Sequence, residues 1–331
     1  MGIPIVGRHR ASRLAQSLAA HQTDLLLISM VFVWGANFSV LKIAFHTFSP
    51  LAFNVLRFLL ATTLLLGFLR WHGQPVHIAR ADLWRVTILG VIGHGVYQVF
   101  FVQGLARTTA ANASLLMATV PIFVALLSAL FHIERVTPRR WIGIFLSFAG
   151  IFLITVGSGQ QIHFSASHLT GDLLMLASAA TWATYTVMSK PLLTRYSPLC
   201  LTAVSMVPGT AALALLGMPD MLSQRWSAVE PAAWAGLIYS AVFSIALAYL
   251  IWFTGVQRVG NARTAIYSNG TPVVASLLAW VVLREPFGVL QIIGGGVILI
   301  GLVLTQSNGS NPSSASSIAK ERGQNAKGPA V

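Results

Sequence analysis

Polar side chains that could bind a solute are rare in this chain, and they lie inside long apolar stretches. Arg57 lies well inside such a stretch, and Asn54 precedes it by three positions, on the same face of a helix. A charge in the middle of a bilayer costs at least ~2.5 kcal/mol, so we expect Arg57 to face a helix bundle or a watery cavity. There it could hold a carboxylate of a solute, or it could tie carbonyls and helix ends together within the protein.

Aromatic side chains form a second candidate group. Trp34 and Asn37 are three positions apart, and so are Trp182 and Tyr185. Indole and phenol rings can stack on a solute or a cation and still donate a hydrogen bond. The alternative for any one ring is packing within the bundle or a place in the aromatic belt at the membrane interface.

A third stretch carries His94, Tyr97 and Gln98 on one helical face. A histidine titrates near neutral pH, so His94 could couple a proton to solute binding. The more common role of a histidine inside a membrane helix is a hydrogen bond to a neighbouring helix. We include all three among the candidate substrate-binding residues.

Two prolines, Pro121 and Pro272, lie near the middle of apolar stretches and 151 positions apart. Within a helix a proline kinks the axis and frees a backbone carbonyl, so the pair could form hinges or pocket walls. The alternative is ordinary packing, because prolines are common in membrane helices. Ser268 and Asn269 come just before Pro272, where unwound backbone could line a cavity.

The elements that position these residues are membrane helices. Hydrophobic residues make up 55% of the chain and charged residues 9%, against ~25% charged residues in a soluble domain. The apolar runs are ~20 residues long, which is the length that spans a bilayer as a helix. We predict an all-α membrane protein with ten transmembrane helices, at 24–45, 50–70, 83–104, 110–131, 139–157, 171–190, 198–217, 232–255, 262–283 and 286–305.

The chain carries the same glycine and polar residues twice. Residues that match at an offset of 151 are Gly104 with Gly255, Arg107 with Arg258, Pro121 with Pro272, Glu134 with Glu285, Gly143 with Gly294 and Gly150 with Gly301. Each half holds five spans, and because five is odd, the second half must enter the bilayer from the opposite side. We therefore predict two inverted repeats, 24–157 and 171–305, joined by an external connector at 158–170. Inverted repeats are typical of transporters, where solute binds between two halves that rock against each other.

The formal charge of +13 is explained by topology. With the N-terminus inside, the segments on the cytoplasmic side hold sixteen Lys or Arg and the external segments four. This bias follows the positive-inside rule, so we predict that both termini are cytoplasmic and that the charge does not bind nucleic acid. Residues 1–23 form the cytoplasmic N-terminal segment, and 306–331 form a disordered cytoplasmic tail, because they are almost free of large apolar residues.

Other classes of chemistry have little support in the sequence. No Asp or Glu lies deep in a predicted span, so coupling through buried carboxylates is not expected. No P-loop, nucleophile elbow or HExxH motif is present, and one cysteine, Cys200, is too few for a disulfide or a cysteine-based metal site. We predict no cofactor, no metal and no enzymatic activity. Glycines spaced by seven in the fifth and tenth spans indicate helix packing, with a homodimer contact as one role.

Two segments resemble the EamA repeat of the drug/metabolite transporter superfamily. They read GLARTTAANASLLMATVPIFVALLSALFHIERVTPRRWIGIFLSFAGIFLI and GVQRVGNARTAIYSNGTPVVASLLAWVVLREPFGVLQIIGGGVILIGLVL. The resemblance implies a ten-helix inner-membrane carrier, and such carriers are mostly known as exporters of amino acids and other small metabolites. We predict a secondary transporter that exports a small metabolite by alternating access. The alternative function is an intramembrane enzyme that acts on lipid.

Overall fold

The computed structural model describes residues 5–73, 78–133, 137–157, 166–284 and 289–306. These residues form ten long helical segments joined by short turns, and no β-strand occurs among them. The segments are α1 (Ile5–Ala44), α2 (Pro50–Trp71), α3 (Arg80–Arg107), α4 (Ala110–Leu130), α5 (Pro138–Gly157), α6 (Ala166–Ser189), α7 (Pro198–Ser223), α8 (Pro231–Val259), α9 (Asn261–Leu283) and α10 (Val289–Gln306).

Seven of these helices are long and apolar enough to cross a bilayer: α1 from His21 onward, α2, α3, α4, α7, α8 and α9. Large apolar side chains such as Phe32, Leu64 and Leu215 are exposed on the outside of the bundle, where lipid would contact them. The chain is therefore an all-α, multi-pass membrane protein. That α5, α6 and α10 also cross, which would make ten transmembrane helices, stays a prediction.

Two helices begin earlier than the apolar stretches that predicted them. α1 starts at Ile5 and α6 at Ala166, whereas the apolar residues start at 24 and 171. Residues 5–23 contain many Ala, Leu, Gln and Arg, which favour a helix without favouring lipid, so the helix extends past its apolar part. Outside the described residues lie the remainder of the predicted connector (158–165), the predicted tail from 307 onward, Glu134 and Glu285.

The path of α1 defines two faces of the bundle. Where the apolar part of α1 begins, Arg263 of α9 donates to the carboxylate of Asp24 at 2.9 Å, and we call this end of the bundle the first face. At its end, Lys42 donates to the carbonyl oxygen of Thr108 at 2.8 Å, where α3 leads into α4. We call this end the second face.

The first helix of the other repeat, α6, runs the opposite way. It begins at the second face, where Asn112 of α4 donates to Asp172 at 2.7 Å and to the Thr108 hydroxyl at 2.9 Å. It ends at the first face, where Lys190 donates to the carbonyl of Val256 in the last turn of α8. The repeats α1–α5 and α6–α10 are therefore inverted, as the odd number of spans per half predicts.

Helix packing follows the same pseudo-two-fold relation. α1 packs against α8 and α9 of the other repeat, and α6 packs in the same way against α3 and α4. Equivalent helices also pack together, α2 with α7 and α5 with α10, and the further pairs α3 with α7 and α2 with α8 are related by the same symmetry. Gly143, Gly150, Gly294 and Gly301 are buried along α5 and α10, as small residues are at close helix contacts. The packing role predicted for these glycines is confirmed, and the homodimer stays a prediction.

Four helices are interrupted near their middle, two in each repeat. α3 and α8 contain π-helical segments at Val91–Val96 and Ser240–Leu247. α4 is broken between Met117 and Val120, and α9 passes through a 3-10 turn at Ser268–Gly270. Such interruptions free backbone groups from the regular ladder and are frequent at functional sites. All four helices also line a cavity between the two repeats.

Candidate functional site

A cavity of about 60 Å³ lies between the two repeats. Its walls come from α1, α2, α3, α4, α6, α8 and α9, so both halves of the chain are needed to form it. Seven of the eleven residues predicted to bind substrate line it: Trp34, Asn37, Arg57, Tyr97, Gln98, Trp182 and Ser268. The other four, Asn54, His94, Tyr185 and Asn269, lie behind the wall. A binding role for any of these residues stays a prediction.

Arg57 is the centre of the polar network at this cavity. It is 1% exposed, and its Nε donates to Asn54 Oδ1 at 2.6 Å, its Nη1 to Ser240 Oγ at 2.8 Å and its Nη2 to Gln98 Oε1 at 2.7 Å. A guanidinium group has more N–H groups than these bonds use. Within the described chain no carboxylate forms an ion pair with Arg57. Its charge is hydrogen-bonded but not neutralised.

The sequence of α2 places Arg57 on the inner face. Phe53 and Phe58 are fully buried, and each ring centroid is 5.8 Å from the guanidinium carbon of Arg57. Leu59, two positions after Arg57 and so on the opposite side of the same turn, is exposed. Because the helix turns every 3.6 residues, the aromatic residues that pack into the bundle carry Arg57 and Asn54 inward with them.

Aromatic rings form much of the remaining wall. Trp34 and Trp182, a pair related by the repeat, meet edge to face with centroids 6.1 Å apart. Trp182 also contacts Tyr97 at 5.0 Å and Tyr249 at 4.8 Å, and Trp34 contacts Trp252 at 5.3 Å. The indole nitrogen of Trp34 donates to the backbone carbonyl of residue 244 at 3.0 Å, within the π-helical segment of α8. The interruption of α8 therefore supplies the acceptor that fixes this ring.

Tyr249 and Ser240 belong to the site, although the spacing of polar residues along the eighth span shows no pattern. The physical reason is the π-helical segment Ser240–Leu247, because its wider turns shift the helical phase and defeat a face assigned by 3.6-residue periodicity. The repeat itself carries the missing signal, since Tyr249 is 151 positions after Gln98. These two side chains meet, with Gln98 Nε2 donating to Tyr249 Oη at 2.7 Å.

His94 is buried away from the cavity. Its Nε2 is 2.9 Å from the Tyr185 hydroxyl and 3.2 Å from Ser205 Oγ, and its ring stacks on Tyr249 with centroids 5.6 Å apart. Tyr185 is also fully buried and bonds to Ser205 at 2.9 Å. The structure therefore forms the interhelical hydrogen bond that was the alternative for His94, joining α3, α6 and α7. A role in proton coupling stays a prediction.

The two prolines lie just after the interruptions of α4 and α9. Pro121 and Pro272 are each the second residue of a new helical stretch, Val120–Leu130 and Thr271–Leu283. A proline fits this position because no helical partner is needed for the missing N–H. Ser268 before the second break lines the cavity, whereas Asn269 is buried with its Oδ1 unpaired. Hinge motion at these positions stays a prediction.

The site is chemically suited to bind a solute. It offers one permanent positive charge, several hydroxyl and amide groups, and aromatic faces. Within the described ranges no three His, Cys, Asp or Glu side chains come together as metal ligands would. An arrangement with one uncompensated cation and no base beside it favours the recognition of an anionic group.

Comparison with known proteins identifies the same architecture. Residues 21–156 and 169–306 match the sequence model of the EamA-like transporter family. An "Uncharacterized transporter" of Archaeoglobus fulgidus is 30% identical over 86% of this chain and 97% of its own length. A "Probable terminal-alkyne amino-acid exporter" of Streptantibioticus cattleyicolor is 28% identical over 84% of this chain and 91% of its own length.

A solved crystal structure shares the fold. It covers 86% of this chain and 98% of its own with a TM-score of 0.73, at 19% sequence identity. The "Uncharacterized transporter YyaM" of Bacillus subtilis is 29% identical over 86% of this chain and 92% of its own length. With both repeats matched and the inverted halves meeting at a shared cavity, the chain belongs to the EamA-like transporter family and is a membrane transporter.

Proposed function

We propose that this protein is a secondary transporter of the inner membrane that exports a small metabolite carrying a carboxylate, an amino acid or a related compound. Both termini lie in the cytoplasm, and the solute crosses by alternating access between the two repeats. The observation that carries the proposal is Arg57, a buried and uncompensated cation on the wall of a cavity that both repeats share.

The chemistry of the cavity wall suits a solute with one anionic end and one cationic or apolar end. The N–H groups that Arg57 keeps free can donate to a carboxylate. The rings of Trp34, Trp182 and Tyr249 provide faces that attract an ammonium group or pack against an apolar side chain. One relative is named as an amino-acid exporter, which agrees with this chemistry.

Two contacts related by the repeat support alternating access. On the first face, Asp24 accepts from Arg263 at 2.9 Å and from the Tyr267 hydroxyl at 2.8 Å, which joins α1 to α9. On the second face, Asp172 accepts from Asn112 at 2.7 Å, which joins α6 to α4. Each contact links the first helix of one repeat to the fourth helix of the other. Opening one contact while the other holds would expose the cavity to one side at a time.

The alternative function, an enzyme acting on lipid, would depend on His94 and Ser205. These side chains are 3.2 Å apart, the distance of a base and a nucleophile. Both are fully buried and neither lines the cavity, so a lipid has no path to them in this structure. Transport is therefore the function that the geometry supports better.

The test is counterflow with purified protein in liposomes. Liposomes loaded with one unlabelled amino acid at a time should accumulate the same amino acid in radiolabelled form from outside. We expect uptake for at least one member of the panel and no change in lipid composition by mass spectrometry. Conversion of a lipid without movement of any solute would favour the enzyme instead.

A further inference from the structure

The hydrogen bonds around Arg57 can run in only one direction. A guanidinium group has donors and no acceptor, so the side-chain oxygen of Gln98 must accept from Arg57 Nη2 at 2.7 Å. The amide nitrogen of Gln98 then faces Tyr249 and donates to Tyr249 Oη at 2.7 Å. Because Tyr249 is an acceptor on this side, its own proton must point elsewhere.

The direction left to that proton is the cavity side, because Tyr249 lines the cavity. Tyr249 and Tyr97 both line the cavity, so the Tyr249 O–H can turn into the cavity or toward Tyr97. If Tyr249 donates its hydrogen bond to Tyr97 and not into the cavity, the Tyr97 O–H takes its place. In both cases one phenol O–H is left at the end of the hydrogen-bond network. The network therefore ends in a donor.

Asn54 is oriented by the same rule. Its Oδ1 accepts from Arg57 Nε at 2.6 Å, and its Nδ2 donates to the backbone carbonyl of residue 98 at 3.3 Å. Its acceptor is thus turned toward Arg57 and away from the cavity. Within the network of Asn54, Arg57, Gln98 and Tyr249, the polar atoms left to meet a solute are therefore N–H and O–H donors.

We propose that Tyr249, oriented by Gln98, donates a second hydrogen bond to the anionic group held by Arg57, and that this pair selects small carboxylates over their amides. The inference rests on the proposed function, because Arg57 must hold a carboxylate for Tyr249 to join it. Gln98 is a positioning residue, since it acts on the solute through Tyr249.

The selectivity follows from the number of acceptors. A carboxylate has two oxygens that accept, so it can satisfy Arg57 and the phenol O–H together. A carboxamide has one oxygen, so its NH₂ group would face one of the two protein donors. Neither the NH₂ group nor that donor would then have an acceptor. The amide also lacks the charge that a cation attracts. The donor pair of Arg57 and the phenol therefore disfavours the amide as well as attracting the carboxylate.

The experiment measures ligand-induced thermal stabilisation of the purified full-length protein. The probes are L-alanine, L-leucine and lactate, each paired with its carboxamide. We expect the carboxylates to stabilise the wild-type protein at lower concentrations than the amides do. Tyr249→Phe removes one oxygen and should raise the half-saturating carboxylate concentration about tenfold, as expected for a lost hydrogen bond to a charged group, without changing the amide response.

Gln98→Glu gives a second readout that a structural role would not produce. The new carboxylate can still accept from Arg57, but it neutralises the guanidinium charge and cannot donate to Tyr249. The preference for carboxylates over amides should then disappear or reverse. If this variant does not fold, Tyr249→Phe alone decides. The matched control is Tyr239→Phe, also on α8, whose hydroxyl donates to the carbonyl of residue 33 at 3.1 Å outside the cavity lining.

Equal stabilisation of the wild-type protein by amides and carboxylates, or by neither, would overturn the inference. So would a wild-type response in Tyr249→Phe. Uptake into liposomes separates this failure from that of the proposed function. Transport without a preference for carboxylates would contradict only the assignment of Arg57 and Tyr249 as a donor pair. The absence of uptake for every probe would contradict the transport proposal.

Discussion

At the scale of single residues, the cavity depends on one cation that is held by neutral side chains. Asn54 and Arg57 were predictable as a pair because they are three positions apart in an apolar stretch. Their partners were not predictable from spacing alone. Ser240 and Gln98 are 183 and 41 positions away from Arg57, and only folding brings them within 2.8 Å.

This network predicts that Asn54 stabilises the fold through Arg57. Asn54→Ala leaves the buried Nε of Arg57 without a partner, which should destabilise the protein by about 1–3 kcal/mol. The control is Thr62→Val on the same helix, which removes a bond to Thr210 at 2.8 Å and should cost less, because the group left unpaired is neutral. Thermal unfolding in detergent measures both. An equal or smaller shift in Tm for Asn54→Ala would contradict the account.

At the scale of helices, the sequence is a good guide to number and direction and a poor guide to interruptions. Hydropathy marks the apolar stretches, and the repeated residues predict the inversion that Asp24 and Asp172 display on opposite faces. Hydropathy identifies only the apolar part of a helix, so it does not predict that α1 begins as early as Ile5. The π-helical segment of α8 has no sequence signature in this chain, and Tyr249 was missed for that reason.

The close approach of α3 and α7 predicts that Gly90 accepts no side chain. A Cβ atom built there would be 2.0 Å from the carbonyl oxygen of Ser205, which is backbone and cannot rotate away. Gly90→Ala should destabilise the protein by about 1–3 kcal/mol, the usual cost of overpacking a core. Gly67→Ala on α2, where the added Cβ meets nothing within 4 Å, is the control and should unfold like the wild-type protein. Unchanged thermal unfolding of Gly90→Ala would show that α3 and α7 can separate freely.

At the scale of the whole molecule, the inverted repeats place one inter-repeat contact on each face. If access alternates, holding either contact closed must stop the cycle. In a Cys200→Ser background, one variant carries cysteines in place of both Asp24 and Arg263, and another in place of both Asn112 and Asp172. Each variant should lose uptake after treatment with a short thiol cross-linker that a reductant can cleave. The reductant should restore uptake, and single-cysteine variants should be unaffected. Full uptake by a cross-linked pair would show that this contact does not need to open.

The most direct test of the central claim is the uptake of solute by Arg57→Lys in liposomes. Lysine keeps the charge but lacks the planar fork of donors that binds a carboxylate at two points. We expect this variant to elute as a monodisperse protein and to lose at least about tenfold in uptake. Arg70→Lys, an exposed position on the same helix, should transport normally. Normal uptake by Arg57→Lys would contradict the assignment of Arg57 to the solute, and failure of that variant to fold would assign Arg57 to the structure instead.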